Sequence, residues 1–378
     1  MKVIILGAGL VGRAMALDLS RDKEFKVFVA DINQARLRQL AAEGLLTFEQ
    51  DLSQKDKLKE LILDKDLVIN AMPGFLGYET LKTCLETGKP VVDIAFFPED
   101  PFTLNGLALE KGVTAVIDCG VAPGLSHMLA TYGLSQLDWG ESLTIYVGGL
   151  PVVRQWPFEY KAVFSPADVI EEYVRPARLK ENGCLVSKPA LSEPEFIEVE
   201  GLGTLEAFNT DGLRTLLRTV NIPDMKEKTL RYPGHREKML MLREAGFFSA
   251  EPILLHGQKI IPVEATNRIL FSRLILGPGE EDLTVMKIIV TGEKEGRKVR
   301  LAFDLVDRFD QKSGIHSMAR TTGYTATMAA RAFNRRLIKD CGILPPELLG
   351  KKPELFSFIR AGLEERGIII KEKLETLA

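Results

Sequence analysis

Short apolar runs alternate with amphipathic segments from the first residue to about residue 120, the pattern of parallel strands joined by crossover helices. Strands are predicted at Lys2–Leu6, Lys26–Ala30, Leu45–Phe48, Asp66–Asn70, Pro90–Val92 and Val113–Ile117, each close to a Gly, Asp or Pro that can end it. Runs of this kind predict an α/β fold built on a doubly wound parallel sheet, the Rossmann arrangement.

Beyond Gly120-Val-Ala-Pro-Gly124 the rhythm lengthens, with alternating segments at Ser142–Gly148, Tyr160–Ser165, Leu283–Thr291 and Lys298–Val306. The last two flank the polar stretch Glu293–Arg297, which contains Gly296, and so predict a hairpin in a mainly antiparallel sheet and an α+β second domain. Ser317–Ile338 has helical spacing, with Met318, Thr322, Met328 and Phe333 among its larger residues. Leu344–Gly350 reads as a turn and Leu355–Glu365 as a last short helix before a charged tail. The expected division is 1–122, 123–316 and 317–378.

Composition narrows the class. With 46% hydrophobic and 27% charged residues over 378 positions, the chain is expected to fold throughout and in more than one domain. A net charge of -3 provides no field for nucleic acid or an anionic membrane, so neither is expected as a partner. Cys84, Cys119, Cys184 and Cys341 form neither a CxxC pair nor a zinc spacing, so reduced thiols and no metal are expected. The start, MKVIILGAGLVGRAMA, imitates a signal peptide, but the apolar run Val3–Leu6 ends at Gly7. A cytoplasmic protein is expected.

Gly7-Ala8-Gly9-Leu10-Val11-Gly12 spells GxGxxG between a predicted strand and a helix predicted over Arg13–Ser20, and Asp31 closes the next strand at the expected interval. Gly7 permits the tight turn, Gly9 lets a pyrophosphate approach backbone N–H groups, and Gly12 lets the helix pack on the strand. Asp31 is placed to bind the adenosine ribose hydroxyls and to repel a 2′-phosphate, which favours NAD over NADP, although Arg36 and Arg38 lie nearby. The alternative is a structural glycine turn without nucleotide. Two further loops, Asn70-Ala71-Met72-Pro73-Gly74 and Asp93-Ile94-Ala95, fall at strand ends where such sheets gather ligands. Asp51 either approaches the adenine or caps a helix starting near Ser53.

GAGLVG, INAMPG, the loop Asp118–Ser126, the run Tyr146–Pro151, the segment Thr229-Leu-Arg-Tyr-Pro-Gly-His235 and Ala319–Gly323 together resemble the saccharopine dehydrogenase-like family along nearly the whole chain. The resemblance implies hydride transfer at an amine-bearing carbon of an amino acid. It also implies a β-rich substrate and dimerisation domain over 123–316, and C-terminal helices over 317–378 that return to the Rossmann domain. Homodimerisation also follows from the need to cover an antiparallel sheet's face or edge. Saccharopine reductases often carry an acidic residue where this chain has Ala122, and the chain is short for that branch. The favoured reaction is therefore NAD-dependent oxidation of the ε-amine of L-lysine to 2-aminoadipate 6-semialdehyde and ammonia. The alternatives are a glutamate-forming saccharopine dehydrogenase, a carboxynorspermidine-type imine reductase, or a nucleotide-sensing Rossmann protein without catalysis.

Amine oxidation needs a neutral nitrogen before hydride leaves, hence a base or a desolvated pocket. Asp93 and Asp118 at strand ends, and His235 in the Arg-Tyr-Pro-Gly-His segment, are the candidates, with loop or helix capping as the ordinary role of the two aspartates and a partly exposed helix start as that of His235. His127, His256 and His316 have weaker claims. Arg231 is the first choice to grip a substrate α-carboxylate, with Tyr232 beside it and Arg154 and Arg175 as alternatives. Tyr160 and Lys161 lie in a segment that also resembles the family, which implies that they line the same cleft.

Overall fold

Val3, Ile4, Ile5 and Leu6 are all fully buried, the mark of a strand covered on both faces. In the computed structural model, which describes residues 1–162, 166–277 and 279–377, Lys2–Leu6 is β1 of a seven-stranded parallel sheet. It lies between β2 (Lys26–Asp31) and β4 (Leu67–Asn70), with β3 (Leu46–Glu49) outside β2. β5 (Val91–Asp93) and β6 (Thr114–Val116) follow β4, giving the order 3-2-1-4-5-6 of a doubly wound nucleotide-binding sheet, as predicted.

A seventh strand was not predicted. Gly342–Leu344 adds in parallel to β6, and Pro346–Gly350 forms a short helix with proline in its first turn, where a simple turn was expected. This strand belongs to a compact unit comprising Met1–Ser135 and Ala319–Ile369. Within it, the helix α1 (Leu10–Ser20) buries Asp18, whose carboxylate accepts bonds from Arg331 Nη1 at 2.6 Å, Thr327 Oγ1 at 2.5 Å and Arg366 Nε at 2.7 Å. Arg331 also donates to Asp22 at 2.7 Å. Gly323 allows the helix Ser317–Asn334 to come close to α1, since a Cβ there would stand 3.0 Å from Met15 Cγ.

The second unit is Gln136–Met318 with the strand Lys371–Thr376. Its nine-stranded sheet is mainly antiparallel, with one parallel pair between Trp139–Pro151 and Asp224–Arg231. The predicted hairpin is present as Asp282–Lys294 paired with Arg297–Arg308. Two expectations are corrected. The charged tail is an edge strand, paired with Arg297–Arg308, because its alternating charges suit an edge whose side chains stay in water. At Tyr160–Ser165, Ala162 makes only an isolated bridge to Ile275, and residues 163–165 lie outside the described residues.

One face of this sheet packs against helices through Tyr160, Tyr173, Phe208 and Met239. No helix among the described residues is long and apolar enough to cross a membrane.

Candidate functional site

The glycine turn has the form its spacing implied. Gly7 adopts φ +109°, and a Cβ there would lie 2.6 Å from the Ala71 carbonyl oxygen. A Cβ on Gly12 would lie 1.9 Å from the Gly7 carbonyl oxygen, so only glycine lets α1 seat against β1. At Gly9, by contrast, nothing stands within 4 Å of the Cβ position. Gly9 is also the N-cap of α1 and provides no side-chain cap. Open space beside uncapped N–H groups of an eleven-residue helix fits a pyrophosphate.

Asp31 ends β2 and reaches back to this turn. One carboxylate oxygen accepts from the Ala8 N–H at 2.6 Å and the other from the Asn33 N–H at 2.7 Å. A carboxylate has about four lone-pair sites, so these bonds leave capacity for ribose hydroxyls. Asn33 then caps the next helix through the Arg36 N–H, and Arg38 binds Gln34. Asp51 accepts from both Ser53 groups and from Gln54, and those bonds hold its carboxyl below the usual range. Its bonds are those of a turn cap, and the helix after it starts at Lys55.

At the ends of β4 and β5 the loops are bonded to each other. Buried Asn70 donates to Asp93 at 2.9 Å and accepts weakly from the Met72 N–H at 3.3 Å. The other Asp93 oxygen accepts from the Ala95 N–H at 2.7 Å. The Asp93 carbonyl also takes the Cys119 N–H at 2.8 Å, which places Asp118 in the next strand-end loop. Asp118 is buried with φ 49°, and Ala122 lies in the tight Gly120–Gly124 turn, joined to Pro123 by a cis bond. Burial, with the Asp93 charge adding to it, pushes the Cys84 and Cys119 thiols far up, so neither is a nucleophile.

The second unit brings together Tyr160, Arg231 and His235, and adds Glu172 and Tyr173. Because the Phe158 carbonyl 2.7 Å from His235 Nδ1 can only accept, Nδ1 carries the proton and Nε2 is the acceptor. The Tyr173 hydroxyl, 2.9 Å from Nε2, therefore donates to it and accepts from Arg231 Nε at 3.2 Å. Arg231 Nη2 donates to Glu172 at 2.9 Å and Nη1 to the Leu230 carbonyl at 2.9 Å. The guanidinium carbon sits 4.3 Å from the Tyr160 ring centroid. The buried Tyr160 hydroxyl finds no hydrogen-bond partner among the described residues.

Arg231 is 2% exposed, and its fork is bonded to Glu172 and a backbone carbonyl, so it holds the network together. His235 is wholly buried, whereas its ordinary alternative was a partly exposed helix start. Lys161 is paired with Glu280 at 3.4 Å, and the Tyr232 hydroxyl donates to the Pro151 carbonyl at 3.0 Å. Glu172 and Tyr173 were missed. Their only signal was that Val169, Ile170 and Tyr173 share a helix face.

Burial, with the Arg231 charge adding to it, pulls the His235 pKa down from 6.5 to about 3. The unfolded chain takes up a proton near its ordinary value that the folded chain refuses until about pH 3. Stability therefore falls as pH drops through that window, by up to about 1.4 kcal/mol per pH unit. His235→Gln is expected to flatten this slope in urea unfolding between about pH 7 and 5. An unchanged slope would mean that the imidazole titrates normally.

A glycine-cradled Rossmann sheet in one unit and a mainly antiparallel sheet in the other define a two-domain nucleotide-binding protein. Residues 3–116 match the saccharopine dehydrogenase NADP binding domain and residues 120–368 the saccharopine dehydrogenase C-terminal domain, and the chain belongs to the saccharopine dehydrogenase family. It is 24% identical to the mitochondrial alpha-aminoadipic semialdehyde synthase of Rattus norvegicus, over 97% of this chain and 47% of that protein. It thus spans about half the length of that relative. Carboxyaminopropylagmatine dehydrogenase of Synechocystis is 22% identical over 96% of each chain. Apo saccharopine dehydrogenase (L-Glu forming) of Saccharomyces cerevisiae has the same fold, with TM-score 0.82 at 21% identity over the full length of both chains.

Proposed function

We propose that the chain is an NAD-dependent dehydrogenase that oxidises the ε-amine of L-lysine to 2-aminoadipate 6-semialdehyde and ammonia. The observation that carries this reading is the match over 97% of the chain to a protein named for alpha-aminoadipic semialdehyde, which a single oxidation of lysine yields. The turn Gly120–Gly124 offers Ala122 where an acid would serve a saccharopine reductase.

Gly7–Gly12, Asp31 and the loop Ala71-Met72-Pro73 would hold NAD, whose chemistry there is acceptance of a hydride from the ε-carbon. Asp93 or Asp118 takes up the one proton that the ε-ammonium must lose first, since only a lone pair on nitrogen stabilises the developing iminium. Water then adds to the iminium carbon and ammonia leaves. Arg231, Tyr173 and His235 act as positioning residues for Tyr160. A homodimer formed through the second domain and a cytoplasmic location belong to the same reading.

Purified protein given lysine and NAD is expected to produce NADH and ammonia without added 2-oxoglutarate. NADH formed from saccharopine but not from lysine would replace this reading with the glutamate-forming saccharopine dehydrogenase. Turnover with a carboxylated polyamine alone would replace it with a carboxynorspermidine-type imine reductase. Asp31→Ser combined with Ile32→Arg is expected to shift the NADP/NAD preference by about tenfold or more towards NADP. Titration of both nucleotides reads this, and a wild-type protein that already prefers NADP would refute the role given to Asp31.

A further inference from the structure

Asn70 closes β4 and is wholly buried, and its amide ties together segments that are separate in sequence. Nδ2 donates to the Asp93 carboxylate at 2.9 Å and to the Gly77 carbonyl at 3.2 Å, while Oδ1 accepts from the Met72 N–H at 3.3 Å. The orientation of the amide follows from these partners, because the Gly77 carbonyl can only accept and the Met72 N–H can only donate.

The Gly77 end is fixed by close packing. Gly77 lies in the helix Gly74–Glu86, where a Cβ on Gly74 would stand 2.3 Å from the Phe96 carbonyl oxygen and one on Gly77 2.6 Å from Ala95 Cβ. That helix is therefore seated on the segment that follows Asp93, whose second carboxylate oxygen takes the Ala95 N–H at 2.7 Å. Donors on both oxygens fix the plane of the Asp93 carboxylate, and its further lone pairs can still accept. All these residues belong to the first unit.

We propose that Asn70 is a positioning residue: its amide N–H aims Asp93 as the base for the amine's proton, and its amide oxygen braces the loop Ala71-Met72-Pro73 that would hold the nucleotide. The proposal rests on the reading of the chain as an amine dehydrogenase, and it chooses Asp93 of the two candidate bases.

Asn70→Asp separates the two ends of the amide at nearly constant size. The new carboxylate still accepts from Met72 but turns an oxygen towards Asp93, and two carboxylates that close share one proton. The acidic limb of the kcat profile is expected to move up by about one pH unit or more, with NAD affinity within about threefold of wild type. Cys84 and Cys119 feel the Asp93 charge and Asp118 acts on Cys119, but burial pushes both thiols far up, so neither titrates within the profile. Asn70→Ala removes both ends and is expected to weaken NAD by about fivefold or more.

Profiles are recorded on whichever amine the wild type turns over, so failure with lysine alone leaves this question open to decision. A folded Asn70→Asp whose acidic limb stays in place, or whose NAD affinity falls as far as that of Asn70→Ala, would overturn the proposal. Should Asn70→Asp not fold, Asn70→Asp combined with Asp93→Asn restores the donor and acceptor in reverse. This exchange is expected to melt near the wild type yet to turn over about a hundredfold or more slowly, and wild-type turnover in it would overturn the role given to Asp93 and with it the proposal. If the wild type turns over no amine, titration with NAD decides, and equal affinities of the Asp and Ala variants overturn it.

Discussion

Gly12→Val is expected to abolish nucleotide binding, with no saturable heat on titration with NAD or NADP. The new Cβ would lie 1.9 Å from the Gly7 carbonyl oxygen, and the obstacle is backbone, which has no rotamer by which to move aside. Relief requires α1 to lift from β1, and the turn that presents its N–H groups moves with it. Gly9→Ala separates the two roles of the motif. Its Cβ meets nothing within 4 Å, so the melting temperature should hold while nucleotide affinity falls, because the methyl takes the space a pyrophosphate needs. A Gly12→Val protein that still binds nucleotide would show that α1 and β1 do not pack as described.

Asp18→Ala is expected to be the most destabilising substitution of a polar residue in the first unit. The carboxylate is 1% exposed and receives bonds from Arg331, Thr327 and Arg366. Removing one partner of a buried ion pair leaves the other charge uncompensated and costs about 3–5 kcal/mol. In a unit of this size that corresponds to a fall in melting temperature of roughly 10 °C. Arg331 retains Asp22, which moderates the loss, whereas Arg366 loses its bond to Asp18 outright. Scanning calorimetry reads the shift, and a drop under about 2 °C would mean that solvent reaches the cluster on substitution.

The first six strands were legible because most are apolar runs closed by Gly, Asp or Pro, and all but the exposed edge strand β3 are buried along most of their length. Gly342–Leu344 escaped because three residues cannot display a period, and it joins a partner more than two hundred positions away in sequence. Lys371–Thr376 escaped because an edge strand with charged residues has the composition of a solvated tail. In the glycine turn, the tight bend at Gly7 and the close seating at Gly12 were legible from the motif in its strand–helix context. The buried network was not, since Arg231 meets Tyr173 and Glu172 across separations of 58 and 59 residues, and polar residue types argue against burial. Arg231 and His235 were singled out by the sequence, but that both bond to the Tyr173 hydroxyl was not readable there.

The strand Lys371–Thr376 also bears on how the protein behaves when crowded. Arg297–Arg308 carries buried Leu301 and Phe303 and would otherwise end the sheet with a row of unpaired backbone groups, a template onto which another chain could add. The sequence Lys-Glu-Lys-Leu-Glu-Thr covers that row and presents lysines and glutamates outward in its place. What reads as a disposable tail is a stopper against open-ended polymerisation, and its charges make every further strand's arrival a desolvation penalty.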